Sequence, residues 1–376
     1  MAESRLIPAA NDLPPVAYGL GYRHGLGAGA YIFQSNYAEY LKSLLPYSDP
    51  RIEINIMIQP NSSPHIGTLC NLGLAFVVAQ RMAELGMDAM VTCDLCDRAK
   101  GEQFTINGIV YQKSLKHKGV FQKHLPDYEE LLSTLSQRYS VPYKLRVEEE
   151  FLKSDNMKGV LEDIITNRDT LGRYLAPTKA SLPIRSACPK CGLMDKYGIN
   201  NSYAPDASSV SFVCPHHGEF TISTDDTHQF SFNCQLLNLV IGYLYQRATF
   251  NYVEVMGSDY SGFWQEQLLY RFLPKPMLIV YTPLISDWSG AKVSKSLYLQ
   301  GTAYDYLKRA NLEYLLSYRI LRQEGRHLKI LWQEIERWVD EPYRLFRGYS
   351  LHYIHLLFEE TVGDLLCQGT HKPEPE

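Results

Sequence analysis

Residues Ile52 to Ile58 read IEINIMI, a β-branched run of the kind that makes a buried strand. A turn-rich stretch follows, Gln59-Pro60-Asn61-Ser62-Ser63-Pro64. Between Gly67 and Leu85 the apolar positions Leu69, Leu72, Phe76, Ala79 and Met82 recur at helical spacing, and Ala89–Cys93 reads as the next strand. Strand, tight turn, helix and strand in this order make a βαβ unit, so the pattern predicts an α/β protein with a doubly wound parallel sheet. Further along, helices are expected over Asp127–Tyr139 and Met157–Tyr174, with a short strand at Tyr143–Val147 between them. Beyond a cysteine-bearing segment come helix Phe230–Gln246, strand Tyr252–Met256, helix Phe263–Phe272 and strand Met277–Tyr281. Two last helices are expected, roughly Ala303–Arg322 and Leu328–Tyr349.

These elements divide the chain into an N-terminal extension (1–50), a catalytic domain (51–300) with an inserted segment (185–220), a helical region (301–360) and a tail (361–376) expected to be disordered. The 376 residues are 45% apolar and 21% charged, enough to bury a core. A net charge of −4 excludes a broadly basic nucleic-acid coat, though a local basic patch stays open, with Lys113, Lys116, Lys118 and Lys123 the candidates. No apolar run approaches the ~18 residues of a membrane span, and the N-terminus lacks an apolar leader core, so a cytoplasmic protein is expected. With eight cysteines in so long a chain, metal binding is the first alternative to disulfides.

Two of the cysteine clusters match each other. Cys188-Pro189-Lys190-Cys191-Gly192 and Cys214-Pro215-His216-His217-Gly218 are paired knuckles. Tetrahedral zinc takes thiolates and imidazole, so Cys188, Cys191, Cys214 and His217 are the expected ligands of a structural zinc, with His216 the fallback. Four protein ligands leave no open position, so no catalysis is expected there. Cys93 and Cys96 form another CxxC without a partner pair; Asp94 and Asp97 beside them are candidate substrate-binding groups, because strand C-termini face the ligand crevice of such sheets.

Two short motifs point to phosphate chemistry. His65, Gly67 and Thr68 lie between a buried strand and a helix N-terminus, where phosphate binds readily and a histidine can donate to a phosphate oxygen. Lys292-Val293-Ser294-Lys295-Ser296 follows the Met277–Tyr281 strand, and its two lysines can clamp a polyphosphate as point charges. Asp225-Asp226 precedes the expected Phe230 helix and can pair with a cationic group, and His228 and Gln229 can reach the same crevice.

With these motifs in this order the chain resembles class I aminoacyl-tRNA synthetases, whose HIGH and KMSKS signatures bracket a Rossmann-like ATP site. His65-Ile66-Gly67-Thr68 matches HIGH except for the final Thr, and Lys292-Val293-Ser294-Lys295-Ser296 matches KMSKS with one apolar swap. Gly257-Ser258-Asp259-Tyr260 looks like the intervening G-x-D element, which implies that Gly257 and Asp259 meet the ribose and adenine of ATP. The likeness is greatest to the lysyl-type enzymes. It spans about residues 51–350 and implies ATP with Mg, amino acids and tRNA as ligands. Only residues 297–376 follow the KMSKS-like loop, less than the anticodon-binding domain of those enzymes.

Three activities follow from the resemblance, and one non-enzymatic role. Asp225-Asp226-Thr227-His228-Gln229 is similar to the DDxxE element of fungal arginine-containing cyclodipeptide synthases, but ends in Gln. That favours a synthetase-like enzyme of secondary metabolism, which condenses arginine (or another cationic amino acid) from aminoacyl-tRNA, arginyl-tRNA above all, into a cyclodipeptide. His65, Lys292, Lys295, Asp225, Asp226 and His228 would then carry the chemistry. The alternatives are a truncated lysyl-type synthetase, an ATP-dependent amino-acid ligase, and a regulator that binds an amino acid or tRNA.

Overall fold

The computed structural model describes residues 36–96, 100–114, 119–176, 178–261, 273, 277–300, 302–345 and 347–359. Five strands form the central sheet: β1 (Arg51–Ile58), β2 (Asp88–Leu95), β3 (Tyr143–Val147), β4 (Asn251–Gly257) and β5 (Leu278–Thr282). All neighbours pair in parallel, in the order β5-β4-β1-β2-β3. The chain therefore winds outward from β1 in one direction, then returns to its other side, and the order reverses between β1 and β4. Ligands of such sheets bind outside the strand C-termini at that reversal. The expected Rossmann-like, doubly wound α/β fold is what the chain adopts.

Four of the five strands carry two buried faces, and only the edge strand β3 does not. Ile52, Ile54, Ile56, Val91, Cys93, Val253, Val255 and Val280 pack on one side against helix α1 (Ile66–Glu84). Tyr252, Met256, Ile279 and Tyr281 pack on the other side with helix α2 (Cys234–Gln246). Helix α1 is buried nearly all round because helix α3 (Lys329–Asp340) covers its outer side. A Cβ at Gly73 would lie 2.7 Å from Ile335 Cδ1 and 2.8 Å from Trp332 Cζ3, so that crossing requires glycine. By length and composition α1 could cross a bilayer, against the expectation that no segment would qualify; its burial shows it to be the core helix of the sheet.

Several boundaries differ from the sequence pattern. Met157–Tyr174 is two helices, Met157–Thr166 and Arg168–Leu175, because Asn167 leaves helical geometry between them. Phe230–Phe232 is a strand paired with Ile184–Ser186, and α2 begins only after Asn233 caps the Leu236 N–H at 2.8 Å. The helix expected over 303–322 breaks into Asp305–Arg309, a tight turn and Tyr318–Gln323. Helix α3 stops at Asp340, short of Pro342. A hairpin, Lys100–Ile106 with Ile109–Ser114, stands where no element was expected. The expected Phe263–Phe272 helix, the 1–35 part of the extension, Lys116, Lys118 and the 361–376 tail lie outside the described residues.

Candidate functional site

The C-terminal ends of β1, β4 and β5 surround a cleft of about 290 Å3. His65, Gly67, Thr68 and Asn71 line it from the start of α1. Gly257, Ser258, Asp259 and Tyr260 line it after β4, and Thr282 to Ile285 and Lys292 to Lys295 after β5. Two motifs far apart in sequence thus meet across the reversal point of the sheet.

His65 is the N-cap of α1, and its Nδ1 accepts the Gly67 N–H at 3.0 Å. A backbone N–H can only donate, so Nδ1 carries no proton and the neutral ring holds its proton on Nε2. Burial, with Lys295 and Lys292 nearby, lowers the imidazole to about 3. His65 is therefore a neutral Nε2–H donor at any physiological pH.

Beyond β5 the chain folds into a tight loop. The Asp287 carboxylate accepts the Ser289 N–H at 2.8 Å, the Ser289 hydroxyl at 2.6 Å and the Ala291 N–H at 3.1 Å, with Gly290 at φ +81°. Buried Val293 pins the far side by donating its N–H to Ile285 O at 2.9 Å, and Ser294 N–H reaches the Tyr304 hydroxyl at 2.8 Å. The apolar swap in the KMSKS-like motif is thus an anchor. Its two lysines face opposite walls. Lys292 pairs with Asp259, its ammonium 5.6 Å from the Tyr260 ring centre, and Lys295 donates to Gln59 O. Burial pushes the Lys295 ammonium down to about 8, with Lys292 adding to the effect and Cys96 opposing it. A Cβ on Gly257 would fall 2.5 Å from Asp259 Oδ1, so a larger residue there would displace this carboxylate from its present position.

The other expected residues sit elsewhere. Asp94 is buried and held by Arg146 through two hydrogen bonds of 2.7 and 2.9 Å, with Asn55 Nδ2 donating at 2.8 Å. Arg146 also donates to Tyr245. Asp97 lies outside the described residues. Asp225 is exposed and paired with Lys158 at 2.6 Å, which holds its carboxyl below the usual range. Asp226 is exposed, and Thr227, His228 and Gln229 form a short 3-10 turn. None of Asp94, Asp225, Asp226, His228 and Gln229 is among the residues lining the cleft. Sequence reasoning missed Gln59, Asn71 and Thr282 as cleft residues, Arg146 as the partner of Asp94, and the buried Glu254 on β4. The one available signal was a lone acid in the apolar run NYVEVMG.

The paired knuckles come together as expected. One ligand atom from each of Cys188, Cys191, Cys214 and His217 lies within 4.8 Å of the others, a cluster able to hold a metal ion. Cys188 Sγ to His217 Nδ1 is 3.6 Å, Cys214 Sγ to the same nitrogen 3.5 Å, and Cys191 Sγ to Cys214 Sγ 3.5 Å. Bond lengths of about 2.3 Å to sulfur and 2.0–2.1 Å to nitrogen give tetrahedral edges of about 3.6–3.8 Å, so the residues fit zinc. Gly192 at φ +73° and Gly218 at φ +77° turn the chain after each knuckle.

No protein-family model matches the sequence, and no curated relative does. Among solved structures the fold is similar to tyrosyl-tRNA synthetase of Archaeoglobus fulgidus in complex with L-tyrosine, at 11% identity and TM-score 0.37, over 92% of this chain and 98% of that one. A glutamate tRNA ligase from Elizabethkingia meningosepticum matches at 11% identity and TM-score 0.36, over 86% and 74%. Arginyl-tRNA synthetase of Thermus thermophilus matches at 12% identity and TM-score 0.30; the alignment covers 86% of this chain but only 66% of that enzyme's length. Their amino acids differ, and the lysyl-type resemblance gains no support from them. At TM-scores this low, likeness carries no function, which has to come from the cleft itself.

Proposed function

We propose that this protein is a synthetase-like enzyme that binds ATP in the cleft and activates the carboxylate of an amino acid as its adenylate. The observation that supports this is the meeting of His65, Lys292 and Lys295 at the mouth of a helix N-terminus, with Asp259 paired to Lys292 in the same cleft. Three donors of positive or neutral character around the cleft suit a polyphosphate, and the carboxylate that Lys292 holds in this structure suits sugar hydroxyls once that lysine turns to phosphate. The amino-acid carboxylate attacks the α-phosphorus. A carboxyl O–P bond forms, the bond from that phosphorus to the bridging oxygen breaks, and pyrophosphate leaves. Lys292 exchanges Asp259 for phosphate oxygens, and Lys295 and the His65 Nε2–H take up the charge that develops on the leaving group. Magnesium, when bound with ATP, supplies further neutralisation of the phosphates.

The same cleft leaves the acceptor of the acyl group open between tRNA and a second amino acid. The cyclodipeptide reading drew on Asp225 and Asp226, and their exposed position outside the cleft lining does not favour it. Zinc at Cys188, Cys191, Cys214 and His217 would hold the ribbon together through a closed four-ligand shell, with no part in the reaction.

The test is amino-acid-dependent exchange of labelled pyrophosphate into ATP, run with each of the twenty amino acids. Exchange with at least one of them is expected, with a loss of about 100-fold or more in Lys295→Ala. No exchange and no ATP binding would overturn the proposal; binding unaffected by that substitution and without turnover would make the protein a regulator. Mass spectrometry of products made from charged tRNA, with and without ribonuclease, then identifies the acceptor.

A further inference from the structure

One buried polar atom among the residues lining the cleft has no hydrogen-bond partner. Thr282 ends β5, is 1% exposed, and its hydroxyl makes no hydrogen bond, yet it lines the cleft. Leu278 and Val280 precede it at alternate positions and both belong to the core shared with α1. Valine would continue that face with the same shape and without an unsatisfied hydroxyl, so folding alone gives no reason for threonine here.

We infer that the Thr282 hydroxyl is a specificity contact for the nitrogen edge of the nucleobase, an inference that rests on the nucleotide reading above. The other polar groups divide the ligand between them. The cations Lys292 and Lys295 and the neutral Nε2–H of His65 take the phosphates, and Asp259 the sugar hydroxyls. What remains of the lining after β5 is Pro283, Leu284 and Ile285, an apolar wall suited to a flat heterocycle. Two of its backbone carbonyls are already engaged: Leu284 O accepts from Tyr349 N–H at 2.8 Å, and Ile285 O from Val293 N–H at 2.9 Å. Thr282 also stands opposite Gly257 in the sheet register, two residues from the carboxylate assigned to the sugar. A hydroxyl there can both donate to and accept from ring and exocyclic nitrogens.

Calorimetric titration of the full chain with ATP and, separately, with inorganic tripolyphosphate tests this. Thr282→Val is expected to weaken ATP about five- to tenfold, the loss of one neutral hydrogen bond. Tripolyphosphate affinity should stay unchanged, and the thermal midpoint should rise by about 1–4 °C. Thr282→Ser, which keeps the hydroxyl, should bind ATP like the wild type and remains informative should the valine variant fold poorly. Equal ATP binding in the wild type and Thr282→Val would overturn the inference while leaving the nucleotide site intact. Parallel loss of ATP and tripolyphosphate would overturn it too, as general damage to the cleft. A wild type that binds tripolyphosphate but not ATP would overturn both the nucleotide reading and this one.

Discussion

Replacing Glu254 by Gln should change how stability depends on pH. Glu254 lies on β4 with 2% of its surface exposed, accepts a hydrogen bond from Tyr252, and has Asp94 and Arg146 nearby. Burial raises its carboxyl from 4.5 to about 8; Asp94 adds to the rise, while the Tyr252 hydrogen bond and Arg146 oppose it. Between those two values the unfolded chain gives up the proton and the folded chain keeps it. The stability contributed by the protonated acid is therefore complete below pH 4.5, falls by about 1.4 kcal/mol per pH unit, and is gone above pH 8. The whole loss is bounded by about 5 kcal/mol. Gln keeps an acceptor for Tyr252 and cannot ionise. Urea unfolding of both proteins at pH 5, 6, 7, 8 and 9 isolates the effect, since every other titration is common to the two. The variant should be close to the wild type at pH 5 and more stable by several kcal/mol at pH 9. A stability difference that does not change with pH would refute the assignment of a neutral acid at this position.

Arg146→Met removes the partner of buried Asp94 and should cost about 3–5 kcal/mol in urea unfolding, with most of it recovered in Asp94→Asn/Arg146→Met. Because the Lys295 ammonium is lowered to about 8, kcat/KM for pyrophosphate exchange should fall as pH rises past 8, and a profile flat to pH 9.5 would contradict that. Metal analysis should find close to one zinc per chain, and Cys191→Ser should lower both zinc content and thermal midpoint; a folded, metal-free wild type would rule out the zinc assignment.

Much of the architecture was legible along the chain. The run IEINIMI had to be a buried strand, and the apolar spacing after it had to be a helix, because each pattern matches one backbone period and no other. Strand β3 falls on the expected residues. The Asn107-Gly108 turn, with φ of 50° and 78°, is a two-residue hairpin signal that was available in the sequence and went unread. Helix boundaries were read less well. Phe230–Phe232 has the apolar content to extend α2, and only the partner strand Ile184–Ser186 draws it into a sheet.

The candidate site divides in the same way. Local chemistry named the candidates for phosphate and for metal, since a histidine before a helix, two lysines on a loop and paired knuckles can each be recognised within a few residues. Which acids reach a ligand was a matter of tertiary structure. Asp94, Asp225 and Asp259 are alike in sequence; the fold gives the first to Arg146, the second to Lys158 and the third to the cleft. A carboxylate is defined by the cation nearest to it and by its distance from water, and both are set by chain segments far away in sequence. From the sequence alone came most of the elements of the central sheet, the expectation that it is parallel, and the candidate residues for phosphate and metal binding. Only the packing of β1, β4 and β5 around one reversal point decided which side chains share a cleft, and left the buried Thr282 hydroxyl beside it without a hydrogen-bond partner.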